Sequence, residues 1–144
     1  MSAGGRTVQF AARLRAPIVE RLRAQAQRTS QSQVRLAERY LDEGMRMDEH
    51  PGIVFRDGPL GRRAGLAAGP DVWEVVSALQ QLPGRGQAAV GELAELIDLS
   101  EAQIHVALGY YGDLTEEVDD LILRNRQAAE RAEAAWRRQQ TALA

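Results

Sequence analysis

From Thr7 to Leu14 the chain alternates. Val8, Phe10, Ala12 and Leu14 are apolar, and Thr7, Gln9, Ala11 and Arg13 stand between them. Period two over this run predicts a strand that buries one face. Pro17 then opens a helical pattern. Ile18, Val19, Leu22 and Ala26 share a stripe, with Arg21, Arg23 and Arg28 outside it. Thr29-Ser30-Gln31-Ser32 breaks the pattern and supplies N-cap residues. A second helix comes next, with Val34, Leu36, Ala37, Tyr40, Leu41 and Met45 on its apolar side. A strand and two helices cannot stand alone, because folds below ~40 residues need a metal, a disulfide or a partner. A single strand also leaves both edges unpaired. The economical solution is a homodimer whose two strands pair antiparallel.

Beyond Gly44 the pattern changes. Asp48, His50, Pro51 and Gly52 read as a linker. Ile53-Val54-Phe55 and Ala64-Gly65-Leu66 flank a Gly/Pro-rich stretch, which predicts a hairpin. Asp71 caps a helix with Val72, Val75, Val76, Leu79 and Leu82 inside, and Pro83-Gly84-Arg85-Gly86 ends it. The next stretch reads helix, short turn, helix. Leu93, Ala94 and Ile97 are expected to pack on Ile104 and Leu108, with Leu99 in the turn and Ser100 as N-cap. A last helix starts at Thr115 and can run to about Gln140, with Val118, Leu121 and Ile122 as its core patch. Beyond Arg124 its apolar residues are small, except Trp136 and Leu143. The expected fold is therefore mainly α, with domains over 1–47 and 48–123 and a helical tail over 124–144.

Composition adds one asymmetry. Residues 1–41 carry eight arginines against Glu20 and Glu38, whereas 42–144 carry ten arginines against eighteen acids. A basic arm on an acidic body suggests that the first part meets a polyanion. Without cysteine there is no disulfide framework and no thiolate metal site. No apolar run reaches the ~20 residues that cross a bilayer, and MSAGGRTVQF lacks a signal-peptide core. A cytoplasmic, nucleoid-associated protein is expected. His50 and His105 carry no metal-ligand spacing, GRRAGLAAG lacks the lysine and hydroxyl of a phosphate loop, and no catalytic triad has local support. No metal, cofactor, catalytic residue or enzyme activity is expected.

The strand–helix–helix order over RTVQFAARLRAPIVERLRAQAQRTSQSQVRLAERYLDEG resembles the ribbon-helix-helix family of bacterial repressors and antitoxins. The resemblance implies a two-stranded ribbon in the major groove of operator DNA. Thr7, Gln9, Ala11 and Arg13 then face the bases. Arg13 suits guanine, Gln9 suits adenine, and Ala11 can touch a thymine methyl. The family also implies a phosphate at the start of the second helix. Here that falls on Ser30, Ser32 and the backbone near Gln33, with Arg28 beside them. A ribbon used only for dimerisation, its arginines solvated, is the plainer alternative.

The stretch from His50 to about Leu123 resembles the small helix-turn-helix domain that many bacterial antitoxins carry beside PIN-type ribonuclease toxins. HPGIVFRDG, DVWEVV and ALGYYGDLTEEVDDLI carry this likeness, and GPLGRRAG matches more loosely. Arg56, Arg62 and Arg63 could grip DNA backbone as a wing. Against this, Glu101, Gln103, His105 and Val106 on the recognition helix are followed by Asp113, Glu116 and Glu117, and acids near phosphate repel. A structural or partner-binding role is expected for this domain. Trp136 with Arg131, Arg137 and Arg138 would form a partner-binding tail suited to an acidic cleft, and a solvated helix or a dimer contact is the alternative. Together the resemblances imply an antitoxin that represses its own operon and neutralises a PIN-type toxin. A stand-alone repressor or plasmid partition regulator is one alternative, and an interaction adaptor is another.

Overall fold

The computed structural model describes residues 5–144. It is mainly helical, with one small antiparallel sheet. Two compact units divide the chain between Asp42 and Glu43.

In the first unit, α1 (Ala16–Thr29) begins with proline in its first turn, where the missing N–H is not needed. It ends at Ser30, which takes the left-handed conformation (φ 53°) and turns its N–H onto the Ala26 and Gln27 carbonyls. Helix α2 (Gln33–Glu49) comes next. Ser32 caps it: the Ser32 hydroxyl accepts the Arg35 N–H at 3.0 Å. Residues 5–15 form no regular element, so the expected strand is absent from the single chain. The physical reason is that a strand needs a partner for its N–H and C=O groups. Among the described residues, no backbone hydrogen bond engages 5–14.

The second unit builds a proper core. Strands β1 (Ile53–Arg56) and β2 (Arg63–Leu66) pair antiparallel, with Ile53 opposite Leu66 and Phe55 opposite Ala64. Helix α3 (Val72–Gln81) starts at Asp71, whose N–H is accepted by the Glu74 carboxylate at 2.9 Å. Helices α4 (Gly86–Ile97) and α5 (Glu101–Asp113) follow, joined by the expected short turn. Asp98 makes the turn in the left-handed region (φ 52°) and Ser100 caps α5 by accepting the Gln103 N–H at 3.1 Å. Helix α6 (Thr115–Leu143) completes the chain. Val72, Val75, Val76, Val90, Leu93, Ile104, Ala107, Tyr110, Val118 and Ile122 close one core with Ile53 and Leu66. Burial of each larger aliphatic side chain contributes about 1.5–3 kcal/mol. Ile97, expected inside, is 36% exposed, because Val90 and Leu93 already fill the α4 side of the core.

Candidate nucleic-acid interface

Only Ala26 and Leu36 are buried among the described residues up to Asp42. Phe10 is 80% exposed, Val34 78%, Leu14 57% and Leu41 56%. Folded units do not leave this much apolar surface open without a use. The surface is organised as well as large. Phe10, Ala12 and Leu14, alternate residues of the arm, line an open cavity of about 780 Å³ with Ile18, Leu22, Ala37, Tyr40 and Leu41. Gln9, Ala11 and Arg13 do not line it. From Phe10 to Leu14 the period-two pattern thus survives in space as an inner and an outer set, whereas Val8, expected on the inner face, lies outside the cavity and is exposed.

Charge follows this division only in part: Arg13 and Arg15 lie outside the cavity lining, whereas Arg21 and Arg28 belong to it. Arg6, Arg13, Arg15, Arg21, Arg23 and Arg35 are exposed, and among the described residues none of them forms an ion pair. Arg28, also exposed, donates to the Gln25 side chain. At the start of α2, the first backbone N–H groups of a helix have no helical partner, and the Gln33 and Val34 N–H groups stand there beside Ser32. Of the residues expected to meet phosphate, Ser32, Gln33 and Arg28 are exposed. Ser30 is exposed too, but its backbone N–H is spent on closing α1. Thr7, Gln9, Ala11 and Arg13 are all exposed.

The arginines of the second unit are arranged in the opposite way. Arg56 reaches across Gly65 to Asp71 (Nη1–Oδ1, 2.8 Å) and also donates to the Gly69 and Leu66 carbonyls. Arg63 holds the other Asp71 oxygen through Nε. Asp71 itself is buried. Arg62 grips the buried Glu43 with two nitrogens, at 2.9 and 2.8 Å. The hydrogen bond to Glu43 leads the upward shift of the Arg62 pKa. The three residues expected to form a wing are therefore engaged within the fold, Arg62 by Glu43 and Arg56 and Arg63 together by the one carboxylate of Asp71.

A third cluster joins the end of α2 to α5 and α6. Arg46 donates to the Tyr110 hydroxyl at 2.9 Å and to Glu117 at 2.7 Å, and Tyr110 donates to Glu117 at 2.5 Å. Burial first, then the Glu117 carboxylate, raises the Tyr110 pKa. Burial works against the Arg46 charge, but Glu117 and Tyr110 outweigh it and the Arg46 pKa rises. His50 lies in the short connection between α2 and β1, where its linker reading puts it, yet it is not solvated. Its side chain is mostly buried, edge-on to the Tyr110 ring at 5.2 Å, with Nε2 3.2 Å from Asp113. His105 lies on the helix surface, 3.1 Å from the Gln87 amide oxygen.

Sequence reasoning missed Glu43, Arg46 and Glu117 as partners, and took Asp71 only as a cap. One signal was present. Ile104, Ala107 and Tyr110 recur at three-residue spacing on α5, which turns Tyr110 inward, and a buried phenol must find a hydrogen-bond partner. Trp136 is 59% exposed, and Arg131 and Arg137 are exposed beside it. Among the described residues no helix is long and apolar enough to cross a membrane. In comparisons with known proteins, no family model, curated sequence or solved structure matches the chain.

Proposed function

We propose that the chain is a homodimeric DNA-binding repressor of ribbon-helix-helix type. Two arms pair antiparallel, bury Phe10, Ala12 and Leu14 over the helices of both copies, and turn Thr7, Gln9, Ala11 and Arg13 to the major groove. One observation carries this reading: the alternate apolar residues of an arm without backbone hydrogen bonds line a cavity. Pairing would satisfy that backbone and cover that surface in one step. The exposed arginines without ion pairs supply the attraction to phosphate, and the start of α2 supplies a backbone anchor.

The test is binding of the full chain to the DNA upstream of its own gene across a salt series. Affinity should fall steeply with salt. Arg13→Ala should cost about 1–3 kcal/mol and relax preference at one base position. An unchanged footprint and affinity in that variant would remove the strand from the interface.

A more specific reading makes the repressor an antitoxin that neutralises a PIN-type ribonuclease. The exposed Trp136 on a basic helical tail favours it, as an anchor offered to an acidic cleft. Co-purification from the native operon tests it, and absence of any small bound neighbour would refute it.

A further inference from the structure

Two apolar stripes in the second unit outrun its core. Along α6, Val118, Ile122, Asn125, Ala129, Ala132 and Trp136 follow alternating four- and three-residue steps, which keep them on one helix face. Val118 and Ile122 are buried, whereas Trp136 is not. Along α4, the face of buried Val90 and Leu93 continues to Leu96 and Ile97, and Leu96 is 65% exposed.

The two overhangs carry opposite charge. Glu92, Glu95 and Asp98 surround the α4 stripe, and among the described residues none of them forms an ion pair. On the tail, Arg126, Arg131 and Arg138 likewise have no ion-pair partner among the described residues, whereas Arg124 and Arg137 are paired within the helix. The tail does not cover this patch in its own chain. Helix α4 touches α3 and α5 but not α6.

We propose that the C-terminal half of α6 docks on the α4 end of a second copy. Trp136 sits on Leu96 and Ile97, and the unpaired arginines lie over Glu92, Glu95 and Asp98. The contact joins two different surfaces, so between dimers it extends an assembly instead of closing one. It stands apart from the ribbon and does not require DNA.

The chain has no cysteine, so single-cysteine versions report the contact directly. Glu95→Cys and Gln139→Cys lie beside the apolar anchors without removing them, and both positions are exposed. The two full-length variants, one with a size tag, are mixed and oxidised. The expected main intermolecular product is the mixed disulfide. It is lost on adding Trp136→Ala, and weakens at high salt because exposed charge pairs are screened. A product joining two Gln139→Cys chains in its place would assign the tail to another tail and overturn the proposal. Sedimentation of the chain with Leu96→Lys gives a second, uncross-linked readout. The average mass at high concentration should fall below that of the unsubstituted chain, and an equal mass overturns the proposal.

Discussion

Replacing Asp71 with asparagine removes one charge and almost no volume, and asparagine caps a helix about as well as aspartate. The substitution therefore isolates the electrostatic part of the Asp71 cluster. In the folded chain the Asp71 side chain is 8% exposed, and it faces Arg56 and Arg63, which are 32% and 22% exposed. Breaking a fully buried pair costs about 3–5 kcal/mol, because the remaining charge loses its partner away from water. Both guanidinium groups here keep some water, which screens them and brings the expected loss to about 2–3 kcal/mol. For a unit of roughly one hundred residues this lowers the midpoint of thermal unfolding by about 10–20 °C. Both tryptophans, Trp73 and Trp136, belong to this unit, so tryptophan fluorescence during heating follows it selectively. A shift smaller than about 2 °C would mean that the arginines find equivalent partners, and the cluster would lose its place as a support of the fold.

Three further outcomes are expected. Gly65→Ala would set a methyl group against Arg56 Nη1, well inside van der Waals contact, so it should displace Arg56 from Asp71 and cost about 1–3 kcal/mol, read by the same thermal assay. The Tyr110 pKa is raised in the folded state, so the stability contributed by the neutral phenol is complete below the ordinary tyrosine range. That contribution should fall as pH rises from about 10 upward, and Tyr110→Phe should remove that part of the pH dependence in denaturant titrations. Phe10→Glu should leave the fluorescence transition of the second unit unchanged, because Phe10 is exposed in the single chain, yet abolish binding to DNA. In a chain that also carries Leu96→Lys, which removes the tail contact, it should abolish the remaining dimers in sedimentation, and a double variant that still dimerises would refute the paired ribbon.

Much of the architecture was legible in the sequence because it rests on short-range signals. Pro17, Ser100 and Asp71 mark helix starts through local hydrogen-bonding chemistry, and the valines of α3 repeat at helical spacing. Ile97 was misplaced because periodicity says which face a residue occupies but not where the core ends. The arm alternates in sequence but forms no strand, because alternation marks a face to be buried and does not supply a partner for the backbone. The ion clusters were hidden for a different reason. Arg46 and Glu117 are 71 residues apart, far beyond the reach of any local pattern. Read along the chain, Arg56, Arg62 and Arg63 look available to a polyanion, and only the folded geometry shows them occupied.

The last turns of α2 illustrate how an unbroken helix can serve two masters. Glu43 and Arg46 lie on the same helix as Leu36, yet their chemistry belongs to the hairpin and to the helices near the C-terminus. Any fragment meant to carry the second unit must therefore begin no later than Glu43. One begun at residue 48, where the linker-like composition invites a cut, would strip Arg62 of its carboxylate and leave the Tyr110–Glu117 pair without its cation.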